Sequence, residues 1–248
     1  MTISHFIITG TSKGIGEQLA GKLLDRGHFV YGVARGESQT LTAYERYQHY
    51  TFDLSQISEI EQLMRKIINE IRMANSDVDM IGLVNNAAML SPLGPIEQCS
   101  AEQINLNIQI SLTAPIVLTS CFISLTEDLP ERRKIINISS GSGTYPAPGM
   151  SVYCSSKAAI NMFTRSVGLE QASRQSPVEI IAVDPGMVET GMQSTARGMD
   201  EREFAMARFF REAHDTGQLQ SADALGEHLL RMIERKFESG MLVKYDEA

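Results

Sequence analysis

Seven short apolar runs rich in β-branched residues recur along the chain, each separated from the next by a longer amphipathic stretch. They read "HFIIT", "HFVYGVA", "YTFD", "DMIGLVN", "KIINIS", "VEIIAV" and "MLVKY". Strands that are apolar on both faces and alternate with helices specify a parallel sheet covered on both sides. Helices are expected at about Gly14 to Asp25, Ile57 to Met73, Ala101 to Leu125, Val152 to Gln171 and Ser221 to Arg235. The fold class expected is therefore α/β, a doubly wound parallel sheet of about seven strands. At 248 residues, 43% of them hydrophobic, the chain fills one such domain, so a single domain over 1–248 is expected.

One segment breaks the rhythm. "GMQSTARGMDEREFAMARFFREAHDTGQL", Gly191 to Leu219, mixes Met and Phe with many charges and contains no strand. It is expected to be an insertion at about 187–220 after the sixth strand, placed to cover a ligand at the carboxyl edge of the sheet. The competing reading is a surface helical hairpin that packs Phe204, Phe209 and Phe210 into the core.

A net charge of −8 argues against a nucleic-acid or anionic-membrane surface. The opening "MTISHFIITG" has no basic segment ahead of a long apolar one, and no segment is read as long enough to cross a bilayer, so a cytoplasmic protein is expected. Cys99, Cys121 and Cys154 are odd in number and far apart, which suggests neither a disulfide framework nor a metal site.

The first run leads into "TGTSKGIGEQLA", where Gly10, Gly14 and Gly16 separate a strand from a helix. Glycines there let the backbone turn sharply, approach a pyrophosphate and pack the helix onto the sheet, with the N–H groups of the helix start facing the phosphates.

The spacing TGxxxGxG, followed in order by "NNAA" (Asn85 to Ala88), "INISS", "YCSSK" (Tyr153 to Lys157) and "DPGMVET" (Asp184 to Thr190), resembles the short-chain dehydrogenase/reductases over nearly the whole chain. The resemblance implies a Rossmann-like fold and a nicotinamide cofactor. Gly10, Ser12, Lys13, Gly14, Ile15 and Gly16 should then cradle its phosphates. Asp53 with Leu54 should hold the adenine, Asn85 and Ala87 should border the adjacent ribose, and Pro185, Gly186, Val188 and Thr190 should hold the nicotinamide end. For Asp53 a turn or helix-capping carboxylate is the competing reading. Arg35 stands where an NAD-dependent member would carry an acid, and with Lys13 it favours NADP(H) through paired charge on the 2′-phosphate, although Glu37 is nearby.

Tyr153 and Lys157 are four apart in a helical stretch and so share a face. A phenol ordinarily titrates near ~10, and a neighbouring ammonium is expected to lower that value and make Tyr153 a usable general acid. By resemblance, Ser140 orients the substrate carbonyl and Lys157 also holds the nicotinamide ribose. The family's usual fourth-helix Asn aligns with Ser111 here. Asn107, one turn earlier, is a candidate replacement, and Pro115 removes the N–H that a helix would direct at the Ser111 carbonyl.

Within the family the chain is similar to sepiapterin reductases and bacterial benzil reductases, through "INISSGSG", "VYCSSKAAINMF" and "PGMVETGMQ". That implies reduction of an α-dicarbonyl or α-hydroxy ketone. Ser140, Ser142, Tyr145, Met150, Met187 and Met192 are the candidate pocket residues, and Asp246 either reaches the pocket or belongs to a frayed tail. Oxidation of a secondary alcohol by the same residues and a non-catalytic NADP(H) sensor are the rival readings. A homodimer or homotetramer is implied through the helices near Ala101 to Leu125 and Val152 to Gln171.

Overall fold

β1 (Ile3–Thr9) carries Phe6 and Ile8 on one face and Ile7 on the other, all buried, so it must lie inside a sheet with a helical layer on each side. In the computed structural model, which describes residues 3–74, 78–129 and 132–245, it does. The strands β2 (Phe29–Ala34), β3 (Tyr47–Thr51), β4 (Val78–Asn85), β5 (Arg132–Ile138), β6 (Glu179–Asp184) and β7 (Leu242–Lys244) complete one parallel sheet in the order β3-β2-β1-β4-β5-β6-β7. The order reverses between β1 and β4, which opens a crevice at the carboxyl ends of those two strands.

On one face α1 (Gly14–Asp25) and α8 (Ala222–Glu234) bury Leu19, Leu23, Leu225 and Leu229 against Phe6, Ile8 and Val84. On the other, α2 (Ile60–Met73), α4 (Ala114–Leu125) and α5 (Ser151–Ala172) bury Met64, Ile67, Leu118 and Val167 against Ile7, Leu83 and Ile135. Short α3 (Ala101–Ile108) runs into α4.

Three details correct the sequence reading. β3 starts at Tyr47, ahead of the "YTFD" run, because Tyr47 to Thr51 pair with Val30 to Ala34. Ile57 to Glu59 form a 3₁₀ turn before α2. The stretch from Ala101 to Leu125 is long and apolar enough to cross a membrane by length and composition, contrary to expectation. Here it is two helices joined by a π turn at Gln109–Thr113, and Leu118 and Phe122 are buried beneath α2. Pro115 supplies the reason for the break: it has no N–H where a regular helix would satisfy the Ser111 carbonyl.

Between β6 and α8 the chain makes an excursion through α6 (Gly191–Gly198) and α7 (Ala207–Asp215). Its base is clipped where Gln220 pairs with Val188, donating from N to the Met187 carbonyl at 2.9 Å and accepting from Glu189 N at 2.8 Å. Arg211 ties the two helices together through the carbonyls of Arg197 and Met199. The excursion forms its own apolar cluster with Leu90, Met150 and Tyr153, centred on fully buried Phe204, while Phe209 is 45% exposed.

At the opposite end of the sheet, His5 is buried against Phe29, ring centroids 4.8 Å apart, with Nδ1 3.0 Å from the Tyr31 hydroxyl. Burial, helped by the charge of His28, lowers its pKa from 6.5 to about 4. Above pH 6.5 both folded and unfolded chains are neutral at this site. As pH falls from 6.5 towards 4 the unfolded chain takes up a proton that the folded one refuses, and stability falls by up to about 3 kcal/mol. Denaturant titrations at pH 7 and pH 4.5 should show this loss, and His5→Phe should flatten it.

Candidate active site

The crevice between β1 and β4 is built by glycines and one asparagine. Gly10 and Gly14 adopt φ of +76° and +65°, which only glycine takes without strain. Gly10 and Gly16 also leave the room that Asn86 occupies: a Cβ would sit 2.9 Å and 2.6 Å, respectively, from its Nδ2. That amide donates to the carbonyls of Thr9 (2.8 Å) and Gly10 (3.3 Å). Thr9 Oγ1 in turn accepts from the N–H groups of Asn86 and Ala87, both at 3.0 Å. The sequence reading missed Asn86; its only signal was the Asn doublet, which does not say which member bolts the turn. Asn85 points into the sheet, donating to Thr119 Oγ1 and Asn137 Oδ1 at 3.2 and 2.8 Å.

Lys13 leads into α1 with extended backbone and no side chain caps the helix, so the N–H groups of its first turn are left for an anion. Across from them lies Thr190, whose methyl is 3.9 Å from where a Gly14 Cβ would be, and the Lys13 ammonium lies beside Gly191. The turns after β1 and β6 thus face each other across a cradle that any side chain at Gly14 would enter. Gly186 in the second turn has φ +69°, and Asp184 Oδ1 accepts from its N–H at 3.1 Å. Val188 is buried by its pairing with Gln220.

Arg35 is exposed at the end of β2. Asp53 is a turn carboxylate: Ser55 N–H donates to it at 2.9 Å and holds its pKa down, with a smaller contribution from Arg35. Leu54 is buried in the α2 layer, so only its main chain is free to face a ligand.

Ser140 follows β5, and its Oγ accepts from Ser142 N at 3.1 Å. Tyr153 and Lys157 project from the start of α5 and are 8% and 4% exposed. Lys157 Nζ donates to the Ile138 carbonyl at 2.7 Å and lies 5.6 Å from the centre of the Tyr153 ring. Burial lowers its pKa to about 8. Burial also dominates at Tyr153, whose pKa rises to about 12; the Ser140 hydroxyl opposes that rise and the Asp184 carboxylate adds to it. The depression expected from Lys157 is not found: its ammonium sits by the ring and bonds the Ile138 carbonyl, and burial beside Leu90, Met150 and Phe204 raises the pKa of the phenol.

Ser111 accepts from Met89 N at 3.0 Å and lines one narrow internal gap with Lys157, Asn85 and Asn137. Asn107, considered as its substitute, is instead a tether: Nδ2 donates to the carbonyls of Met89 and Ser91, both at 2.7 Å, and Oδ1 accepts from Ser156 at 2.9 Å. Of the candidate pocket residues, Met150 and Met192 join the Phe204 cluster over Tyr153, Met187 and Ser142 are half-buried nearby, and Tyr145 stands 64% exposed at the rim. Asp246 lies outside the described residues.

With this geometry in place, comparison with known proteins is decisive for the family. The model of the family described as short chain dehydrogenase matches residues 4–201. The chain belongs to the short-chain dehydrogenase family. A benzil reductase ((S)-benzoin forming) of Bacillus cereus is 35% identical over 249 residues, covering 98% of this chain and 99% of that protein. One of the same description from Bacillus subtilis (strain 168) is 34% identical over 238 residues, 96% of each chain. The solved structure of the KRED1-Pglu enzyme superposes with a TM-score of 0.82 at 23% identity, covering 97% of this chain and all of that one, which shows the shared fold. This short-chain dehydrogenase is thus an oxidoreductase of a family that uses NAD(P)(H) on small molecules. Its uncapped α1 terminus and its glycine cradle fit the diphosphate of such a nucleotide.

Proposed function

We propose that this chain is an NADPH-dependent carbonyl reductase acting on one carbonyl of an α-dicarbonyl or α-hydroxy ketone. The observation that carries the reading is the buried Tyr153 phenol, held over Lys157 and beside Ser140 at the carboxyl edge of the sheet. NADPH, bound along the glycine turn, would supply the hydride. Ser140 would hydrogen-bond the substrate oxygen and orient the carbonyl. Tyr153 would give its proton to that oxygen as negative charge develops there. Lys157 would then balance the phenolate left behind and hold the ribose hydroxyls. Phe204 and its neighbours would exclude water and line an aryl or alkyl pocket with Leu90, Met150 and Met192.

A phenol with pKa about 12 is protonated at neutral pH, which suits donation and therefore reduction. The same residues would oxidise a secondary alcohol in the reverse direction, with the phenolate accepting the alcohol proton. Substrate class is supported by the names of the two Bacillus relatives. The test is the initial rate of nicotinamide oxidation with benzil, a sepiapterin-like pterin and a simple ketone, using NADPH and NADH side by side. Reduction of benzil with NADPH is expected, and turnover of none of the three would reject the reading.

Choice of NADPH rests on Arg35 and Lys13, two exposed cations flanking the crevice. One charge-assisted contact to a phosphate contributes about 1.5–3 kcal/mol. Arg35→Ser should therefore weaken NADPH binding by about 10–100-fold while leaving NADH unchanged. Protein-bound NADPH fluorescence measures this, and an unaltered preference would assign selectivity elsewhere.

We also propose a homo-oligomer assembled through the α3–α4 stretch and α5 of two copies. Leu106, Met162 and Leu169 stand exposed on α3 and α5, Leu169 at 77%. Sedimentation at micromolar concentration should show a dimer or tetramer, and a monomer alone would rule this out.

A further inference from the structure

We propose that Asn161 is a positioning residue for the Ser140 hydroxyl, acting through a clamp that fastens both ends of the link after β5 to the helix that carries Tyr153. This inference rests on the assignment of Ser140 and Tyr153 made above.

Tyr153, Lys157 and Asn161 are spaced at i, i+4 and i+8 in α5 and share one face. The first two are assigned to chemistry, and the third reaches the same loop one turn further on. Ser139 Oγ donates to Asn161 Oδ1 at 2.5 Å. Asn161 Nδ2 donates to the Gly143 carbonyl at 3.4 Å. Between those two anchors lies Ser140, closed into a tight turn by Gly143 N donating to its carbonyl at 2.8 Å and Ser142 N donating to its Oγ at 3.1 Å.

Packing makes the clamp specific. A Cβ on Gly143 would lie 2.7 Å from Asn161 Nδ2 and 2.9 Å from the Lys157 carbonyl, so the link is pressed onto α5 as closely as glycine allows. Ser139 is 2% exposed and would lose its hydroxyl partner without Asn161. The pair of bonds needs one acceptor and one donor on a short side chain, which an amide has. A carboxylate keeps only the first and an alkyl group neither. Once released, the turn is free to drift against α5, and displacement of a reacting group by about 1 Å costs about 100-fold in rate.

The experiment compares Asn161→Leu, Asn161→Asp and Ser139→Ala with the parent full-length enzyme, using benzil with NADPH for reduction and benzoin with NADP⁺ for oxidation. Asn161→Leu is expected to lower kcat for benzil about 10–100-fold with the NADPH dissociation constant within about twofold of the parent, since the clamp bonds run from Asn161 to Ser139 and Gly143 and not to the glycine turn after β1. The pH midpoint for benzoin oxidation should also move upward, because a loosened Ser140 no longer eases ionisation of the phenol. Asn161→Asp, which retains the acceptor for Ser139, should recover part of kcat, and Ser139→Ala should reproduce part of the loss.

Parental kcat and pH midpoint in Asn161→Leu would overturn the proposal. Loss of NADPH affinity in step with thermal stability would overturn it as well, by making the role one of general structure. Should Asn161→Leu fail to fold, Ser139→Ala and Asn161→Asp decide by the same readouts. The underlying assignment fails separately: a Tyr153→Phe enzyme that still reduces benzil refutes that assignment, whereas an inactive Tyr153→Phe with a parental Asn161→Leu refutes only the clamp.

Discussion

Replacing Tyr153 with Phe is expected to cut the rate of diketone reduction by about 10²–10⁴-fold while NADPH binds as before. The substitution removes one hydroxyl and leaves the ring in the apolar cluster of Leu90, Met150 and Phe204, so the fold and that cluster should hold. Nothing else in the described site is placed to donate a proton in its stead. Lys157 lies beneath the ring and donates to the Ile138 carbonyl, Ser140 is a far weaker acid, and Asp184 turns one oxygen to the Gly186 N–H. Stopped assays with benzil, paired with NADPH fluorescence titration, separate loss of chemistry from loss of binding. A variant that consumes NADPH at the parental rate would remove the proposed mechanism. Parental NADPH binding in a parent that never turns over any carbonyl would instead favour the non-catalytic sensor.

Lys134→Ala is expected to destabilise the protein by about 3–5 kcal/mol, which for a chain of this size lowers Tm by roughly 10 °C. Lys134 is 3% exposed in β5, where burial lowers its pKa and the Glu179 carboxylate opposes that fall. Its ammonium donates to the carbonyls of Met232 (2.7 Å) and Arg235 (2.5 Å) at the end of α8 and pairs with Glu179 at 2.7 Å. The last carbonyls of a helix have no partner of their own, and here a buried cation from the central sheet satisfies them. Removal would leave those carbonyls and the mostly buried Glu179 carboxylate uncompensated. Calorimetry measures the loss, and Lys134→Met with Glu179→Gln should recover part of it by removing the stranded charge. A Tm within 2 °C of the parent's, on the order of 1 kcal/mol, would mean that water reaches the α8 terminus and the burial argument fails.

Much of this protein is legible in its residues taken in order. Alternation of apolar strands with amphipathic helices determines the parallel sheet, because a strand apolar on both faces has no stable place except between two layers. Glycine spacing after β1 determines a tight turn into α1, and the four-residue interval determines that Tyr153 and Lys157 share a face. These are local, periodic signals. Pro115 likewise announces the break that becomes the π turn.

What only the tertiary structure decided is which polar group meets which, and how wet each one is. Two adjacent asparagines look alike in sequence, yet Asn86 bolts the glycine turn while Asn85 braces Asn137 and Thr119. Asn107 seemed free to serve Lys157 until the loop at Met89 and Ser91 occupied it. Asn161 carries no motif at all, and its partners Ser139 and Gly143 are 22 and 18 positions away. The acidity of Tyr153 shows the division most clearly: spacing places a cation nearby, but packing with the distant Phe204 buries the phenol, and desolvation decides its shift. Helix and strand periods follow from bonds between near neighbours, whereas burial and partner choice depend on contacts that exist only once the sheet has brought distant segments together.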